Sequence, residues 1–242
     1  MMYPSPSPHW HHCLNQGGIT VSFEYKPGDI LACYGVGFQE TSIRVVTFNP
    51  FAPRRLKLGP SHVMIVTKYG DELVSAESTS RCSHACIFHK RIRPGVQIHP
   101  VIQRVRDYDQ AGGYVDIYRL LPVWTLDKAA VDMMASIIDE YVRREVGYDL
   151  GVALLSGIRT LQIADSFPGV DHNEVFCSQL VAALLQRLGR MNINNARKYN
   201  PSKLLRQLIK TGVYQFDRRA PIEDMPPVVV APKKRPRRSR KN

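Results

Sequence analysis

The run Ser61-His62-Val63-Met64-Ile65-Val66-Thr67 reads as a strand. It enters the turn residues Tyr69-Gly70-Asp71, and the chain returns as a second strand, Leu73-Val74-Ser75-Ala76-Glu77. Loop parity decides what this hairpin carries. A two-residue Tyr69-Gly70 loop sets Glu77 directly opposite His62, a Gly70-Asp71 loop leaves the two diagonal on one face, and a three-residue loop sends Glu77 to the other face. With an even loop, His62 and Glu77 form a base and an orienting carboxylate on one side of a sheet. The same residues also fit the polar edge of a half-exposed sheet.

Outward from the hairpin, the chain up to Leu121 offers short runs bounded by turn residues. Ile30 to Cys33 follows Pro27-Gly28-Asp29, and Val96 to Val105 and Tyr114 to Leu120 are further strands. From Leu126 onward helical spacing takes over. Val131, Met134, Ala135, Ile138, Tyr141 and Val142 share a face of a helix over Asp127 to Arg144. Further helices are expected over Leu150 to Ile163, Val175 to Leu188 and Pro201 to Lys210. The last has Asn200 as N-cap, Pro201 at its first position and Gly212 after its end. Strands first and helices second predict an α+β domain.

The helix over Val175 to Leu188 places Leu180, Val181, Leu184, Leu185 and Leu188 on one face with Cys177 in its first turn. Helix N-termini, with their unpaired N–H groups and positive dipole end, favour the nucleophilic thiolate. Free cysteine is also among the residues most often buried for packing alone, so both readings of Cys177 stand on this evidence.

The 242 residues suffice for a core without staples, and 44% apolar with 22% charged residues is globular composition. Residues 1–18, rich in Pro, Ser and His, read as an irregular arm; 19–220 form the compact domain; 221–242 read as a disordered Pro-rich basic tail. No apolar run approaches a membrane span, and the N-terminus lacks a signal-peptide pattern. Five cysteines at irregular spacing do not form a disulfide framework, which points to an intracellular, reducing compartment. The net charge of +12 is mostly a tail property, because Lys233, Lys234, Arg235, Arg237, Arg238, Arg240 and Lys241 supply seven of it.

Taken together, Gly28-Asp29-Ile30-Leu31 at a strand start, Ser61-His62-Val63 with Ile65-Val66, Ala76-Glu77 on the return strand, Gly147-Tyr148-Asp149, and Phe176-Cys177-Ser178-Gln179-Leu180-Val181 opening a late helix resemble the circularly permuted NlpC-type papain-like proteins. That group includes bacterial YiiX-like proteins, a poxviral member and lecithin retinol acyltransferase. In the permuted branch the His strand precedes the Cys helix, as it does here. The resemblance covers roughly Pro27 to Leu188. It implies an antiparallel, barrel-like sheet packed against helices, with Cys177 as nucleophile, His62 as general base and Glu77 as the third polar residue. Tyr148 is implied near the site as an oxyanion partner, Gln179 in the layer behind the nucleophile, and Asp29 in a structural role. Gln179 stands where these proteins often have Glu, which leaves substrate preference open. The implied activity is a thiol hydrolase or acyltransferase working through a thioester on a peptide, amide or lipid acyl substrate, with no cofactor.

Cys82, His84, Cys86 and His89, or His9, His11, His12 and Cys13, are metal-ligand types without paired Cys-x-x-Cys spacing, so no metal is assigned. The basic tail admits nuclear import, an electrostatic arm for nucleic acid, or a solubilising tail. It lacks aromatic residues to stack bases, so nucleic acid would be held by phosphate contacts alone. An alternative to the enzyme is therefore a non-catalytic structural or virion-associated protein holding nucleic acid through this tail, in a nucleus or a virus particle. The loop Phe51 to Pro60, with Arg54, Arg55 and Lys57, is either solvated or a source of positive charge near the site mouth, suited to an anionic substrate or phospholipid surface.

Overall fold

A computed structural model describes residues 24–147, 176–192 and 195–221. Its centre is one six-stranded antiparallel sheet in the order β4-β3-β2-β1-β5-β6, packed against helices on both faces. The strands are β1 Ile30–Tyr34, β2 His62–Tyr69, β3 Glu72–Thr79, β4 Gly95–Pro100, β5 Tyr114–Leu120 and β6 Tyr214–Arg219. The helices are α1 Phe38–Val46, α2 Val101–Gln110, α3 Lys128–Arg143, α4 Cys177–Arg187 and α5 Pro201–Lys210. Among the described residues, β4 and β6 are the edges of the sheet. The arm, the helix expected over Leu150 to Ile163, Tyr148 and nearly all of the basic tail lie outside the described residues.

Alternation along the strands divides the core in two. Ile30, Ala32, Val63, Ile65, Val74, Ala76, Val96 and Ile98 face one way, into the larger apolar cluster with α3, α4 and α5. Leu31, Cys33, Met64, Val66, Val115 and Ile117 face the other way, toward Val101 and Val105 of α2. Local signals fix the helix ends. Asp127 accepts from the Ala130 N–H at 2.8 Å to start α3, and Asn200 accepts from the Lys203 N–H at 2.8 Å to start α5. Gly212 follows α5 at φ +66°, as a helix end of this kind requires.

Three parts of the sequence reading change. The strand expected over Val96 to Val105 ends at Pro100, and Val101 opens α2. Pro100 cannot donate to a ladder, and Val101, Val105 and Tyr108 recur at helical spacing onto the second face. Helix α1 and edge strand β6 are additional elements. The β6 sequence Tyr-Gln-Phe-Asp-Arg-Arg loses its alternation in charges after one repeat, and its pairing with β5 carries an irregularity at Ile117/Tyr118.

Candidate active site

The hairpin register is set by a Gly70-Asp71 loop. Tyr69 pairs with Glu72 and Ile65 with Ala76, and Gly70 sits at φ +62°, as the first position of a type II′ turn requires. His62 and Glu77 are therefore diagonal neighbours on the α2 face, and His62 Nε2 lies 2.8 Å from Glu77 Oε2. Glu77 has no exposed surface.

A buried carboxylate needs compensation, and α2 supplies it. Arg104, itself buried, donates through Nε to Glu77 Oε1 and through Nη2 to Oε2 at 3.1 Å. Burial alone would raise the Glu77 pKa, but the Arg104 charge and the His62 hydrogen bond outweigh it and hold the carboxyl well below the usual range. The network continues outward: Arg104 Nη1 reaches Asp107, whose Oδ1 lies 2.8 Å from His84 Nε2, and Gln103 Nε2 lies 2.8 Å from His84 Nδ1.

Cys177 approaches from the other layer. It is the first residue of α4, belongs to the apolar cluster of the first face, and has no exposed surface. Helix α4 packs on β2 and β3 and against α5, and its first turn is buried all round, with Ser178 Oγ donating to the Tyr199 carbonyl. Cys177 and His62 meet where β2 begins. Burial would discharge the His62 ring, yet the charge and hydrogen bond of Cys177, followed by those of Glu77, push its pKa up to about 10. Cys33 stands directly across from His62 in the sheet, and burial together with the Glu77 charge pushes its thiol well above the usual value.

A cleft of about 420 Å³ opens onto His62 between the Gly35-Val36-Gly37 loop, α1 and α2. Ser61 shapes its floor, donating to the Cys33 carbonyl at 3.1 Å and accepting from the Gly35 N–H at 3.2 Å. Glu40 and Arg81 pair at 2.9 Å on its wall. A side chain at Gly35 or Gly37 would collide with Glu40, so these glycines allow the close approach.

The remaining sequence candidates separate. Gln179 Oε1 accepts from the Phe176 N–H at 3.0 Å and so caps α4 behind Cys177; its Nε2 is buried without a partner among the described residues. Asp29 is buried in a two-pronged ion pair with Arg119 at 3.0 and 2.8 Å. Cys82 lies 4.0 Å from His99 Nδ1, His84 turns to Asp107, Cys86 is in the apolar core, and His89 Nε2 lies 2.9 Å from the Val142 carbonyl. Glu77, Cys82 and His99 do come together, but both Glu77 oxygens already serve Arg104 and His62, and the guanidinium adds positive charge where a cation would sit. Arg54, Arg55 and Lys57 do not line the cleft; Arg55 stacks on Phe216 at 3.9 Å and faces Asp116.

Arg104 is the site residue that sequence reasoning missed. It sits inside the run Val96 to Val105, where a lone charge reads as the exposed side of a strand. The helical recurrence of Val101, Val105 and Tyr108 was the available signal.

No family model and no curated protein matches this chain. Among solved structures, the chain is similar to the metalloprotein YiiX of Escherichia coli O157:H7, with 14% identity and a TM-score of 0.46 over 70% of this chain and 69% of that one.

Proposed function

We propose that the protein is a cysteine-dependent acyl hydrolase or acyltransferase of the circularly permuted NlpC-type papain-like group. The observation that supports this reading is His62 bridging a clamped, buried carboxylate and the first residue of a helix, Cys177. Glu77 takes His62 Nε2, leaving Nδ1 as the ring nitrogen for the thiol. The reactive form pairs the imidazolium with the Cys177 thiolate. The sulfur attacks a substrate carbonyl carbon, and the carbonyl oxygen takes up the negative charge. As the first helical residue, Cys177 has an N–H with no intrahelical acceptor, which suits it to receive that oxyanion. His62 returns its proton to the leaving amine or alcohol as the thioester forms. The neutral ring then takes a proton from water or another acceptor, the acyl group transfers to that oxygen or nitrogen, and the thiol is restored.

The test is alkylation by iodoacetamide, small and neutral, read by mass spectrometry at each cysteine. Cys177 is expected to react fastest near neutral pH, ahead of Cys33, Cys82 and Cys86, and to lose that lead in His62→Ala. Equal labelling of the buried cysteines, unchanged by His62→Ala, would overturn the reading.

A further inference from the structure

Residues 41–60 contain Arg44, Arg54, Arg55 and Lys57 and no acidic residue. The same stretch displays large apolar side chains to solvent. Phe51 is 96% exposed, and Val45, Phe48 and Leu58 are exposed as well. Backbone bonds gather them. The Phe48 N–H donates to the Val45 carbonyl at 3.1 Å, and the Asn49 N–H donates to the Lys57 carbonyl at 2.9 Å, which brings Phe48 beside Leu58. Between those ends, Phe51 stands on a turn held by its own N–H to Asn49 Oδ1 at 3.0 Å. Leu56 and Ala52 are buried beneath, so the loop is anchored while its apolar side chains point outward.

We infer that this loop is a docking surface for anionic phospholipid membranes, with Phe48, Phe51 and Leu58 entering the interface and Arg54 and Lys57 resting on the headgroups. Two features favour a bilayer over a protein groove or nucleic acid. The most exposed apolar side chain stands at the tip of a turn, a convex shape that a soft interface accepts without a matching cavity. Among the described residues, no carboxylate pairs with Arg54 or Lys57, so their charge is available to anionic lipid. The loop follows α1, whose Glu40 and Ile43 wall the cleft, so docking here brings the cleft mouth to the membrane surface. The inference is independent of the thiol chemistry, since it concerns binding alone.

The experiment is co-sedimentation of the full chain with phosphatidylcholine vesicles and with vesicles containing 30% phosphatidylserine, at low salt and in about 0.5 M NaCl. High salt screens the charged tail while leaving apolar insertion in place. The full chain is expected to prefer the anionic vesicles and to retain binding at high salt. Phe48→Ser with Phe51→Ser is expected to weaken the salt-resistant part about tenfold or more, and Arg54→Glu with Lys57→Glu to reduce the preference for phosphatidylserine, the remainder being the tail's own. A Phe51→Trp chain should gain a blue-shifted emission on anionic vesicles, relative to the parent chain. Three results would overturn the inference: binding that vanishes for every chain at high salt, serine variants that sediment like the parent, or Phe51-dependent association of the protein with itself or with oligonucleotide in place of vesicles.

Discussion

The two faces of the sheet are buried to a similar depth by different means. On the first, Val, Ile and Ala side chains meet Met134, Ile138, Leu180, Leu184, Leu204 and Leu208 from three helices. On the second, beside a smaller apolar cluster, lie His62, Glu77, Gln97, His99 and Arg104, each buried and hydrogen-bonded. The first face gains stability in proportion to the apolar area it removes from water. The second spends desolvation energy on charges and recovers it only through complete pairing. A fold can place reactive groups in its interior when one face supplies the stability that the other consumes.

The sharpest way to break this contrast is Arg104→Met. It leaves the Glu77 carboxylate buried without its cation, and a loss of about 3–5 kcal/mol is expected in urea unfolding. Adding Glu77→Gln should restore much of it, because the orphaned charge is gone. No recovery in the double variant would show that Arg104 acts by packing. On the apolar face, Leu184→Ala is expected to cost about 2–5 kcal/mol. Its effect should not vary between pH 5 and 9, whereas that of Arg104→Met should shrink in acid as Glu77 takes up a proton.

The gentlest expected effect is the pH slope of the parent chain, at most about 1.4 kcal/mol per pH unit for one group. His62 has its pKa raised from 6.5 to about 10 on folding, so the stability it contributes is full below 6.5 and is lost as pH rises toward 10. Glu77 is lowered, so its contribution is full above the ordinary carboxylate range and is lost in strong acid. Because Cys177 is the largest influence raising His62, Cys177→Ser should flatten the alkaline slope in urea titrations. An unchanged slope would separate the two side chains.

What the sequence reveals of this arrangement follows from which signals are local. The ends of α3 and α5 are written in Asp127, Asn200, Pro201 and Gly212, each acting within three residues of itself, and these were legible. The hairpin was legible up to loop parity, which Gly70-Asp71 resolves only through the turn geometry. Arg104 was hidden because its partner Glu77 lies 27 residues away on another element, so no spacing along the chain announces the pair. The convergence of Cys82 with His99, in place of the nearer His84, was hidden for the same reason.

The distance along the chain between His62 and Cys177 has a further consequence. During synthesis the histidine strand emerges well before the cysteine helix, and the ring cannot influence the thiol until α4 docks on β2 and β3. Loop-closure entropy opposes that docking until the sheet is in place. A nascent or partly unfolded chain thus carries a cysteine that lacks its His62 partner and is not yet buried. Under the proposed mechanism, docking of α4 on β2 and β3 is the event that arms the thiol.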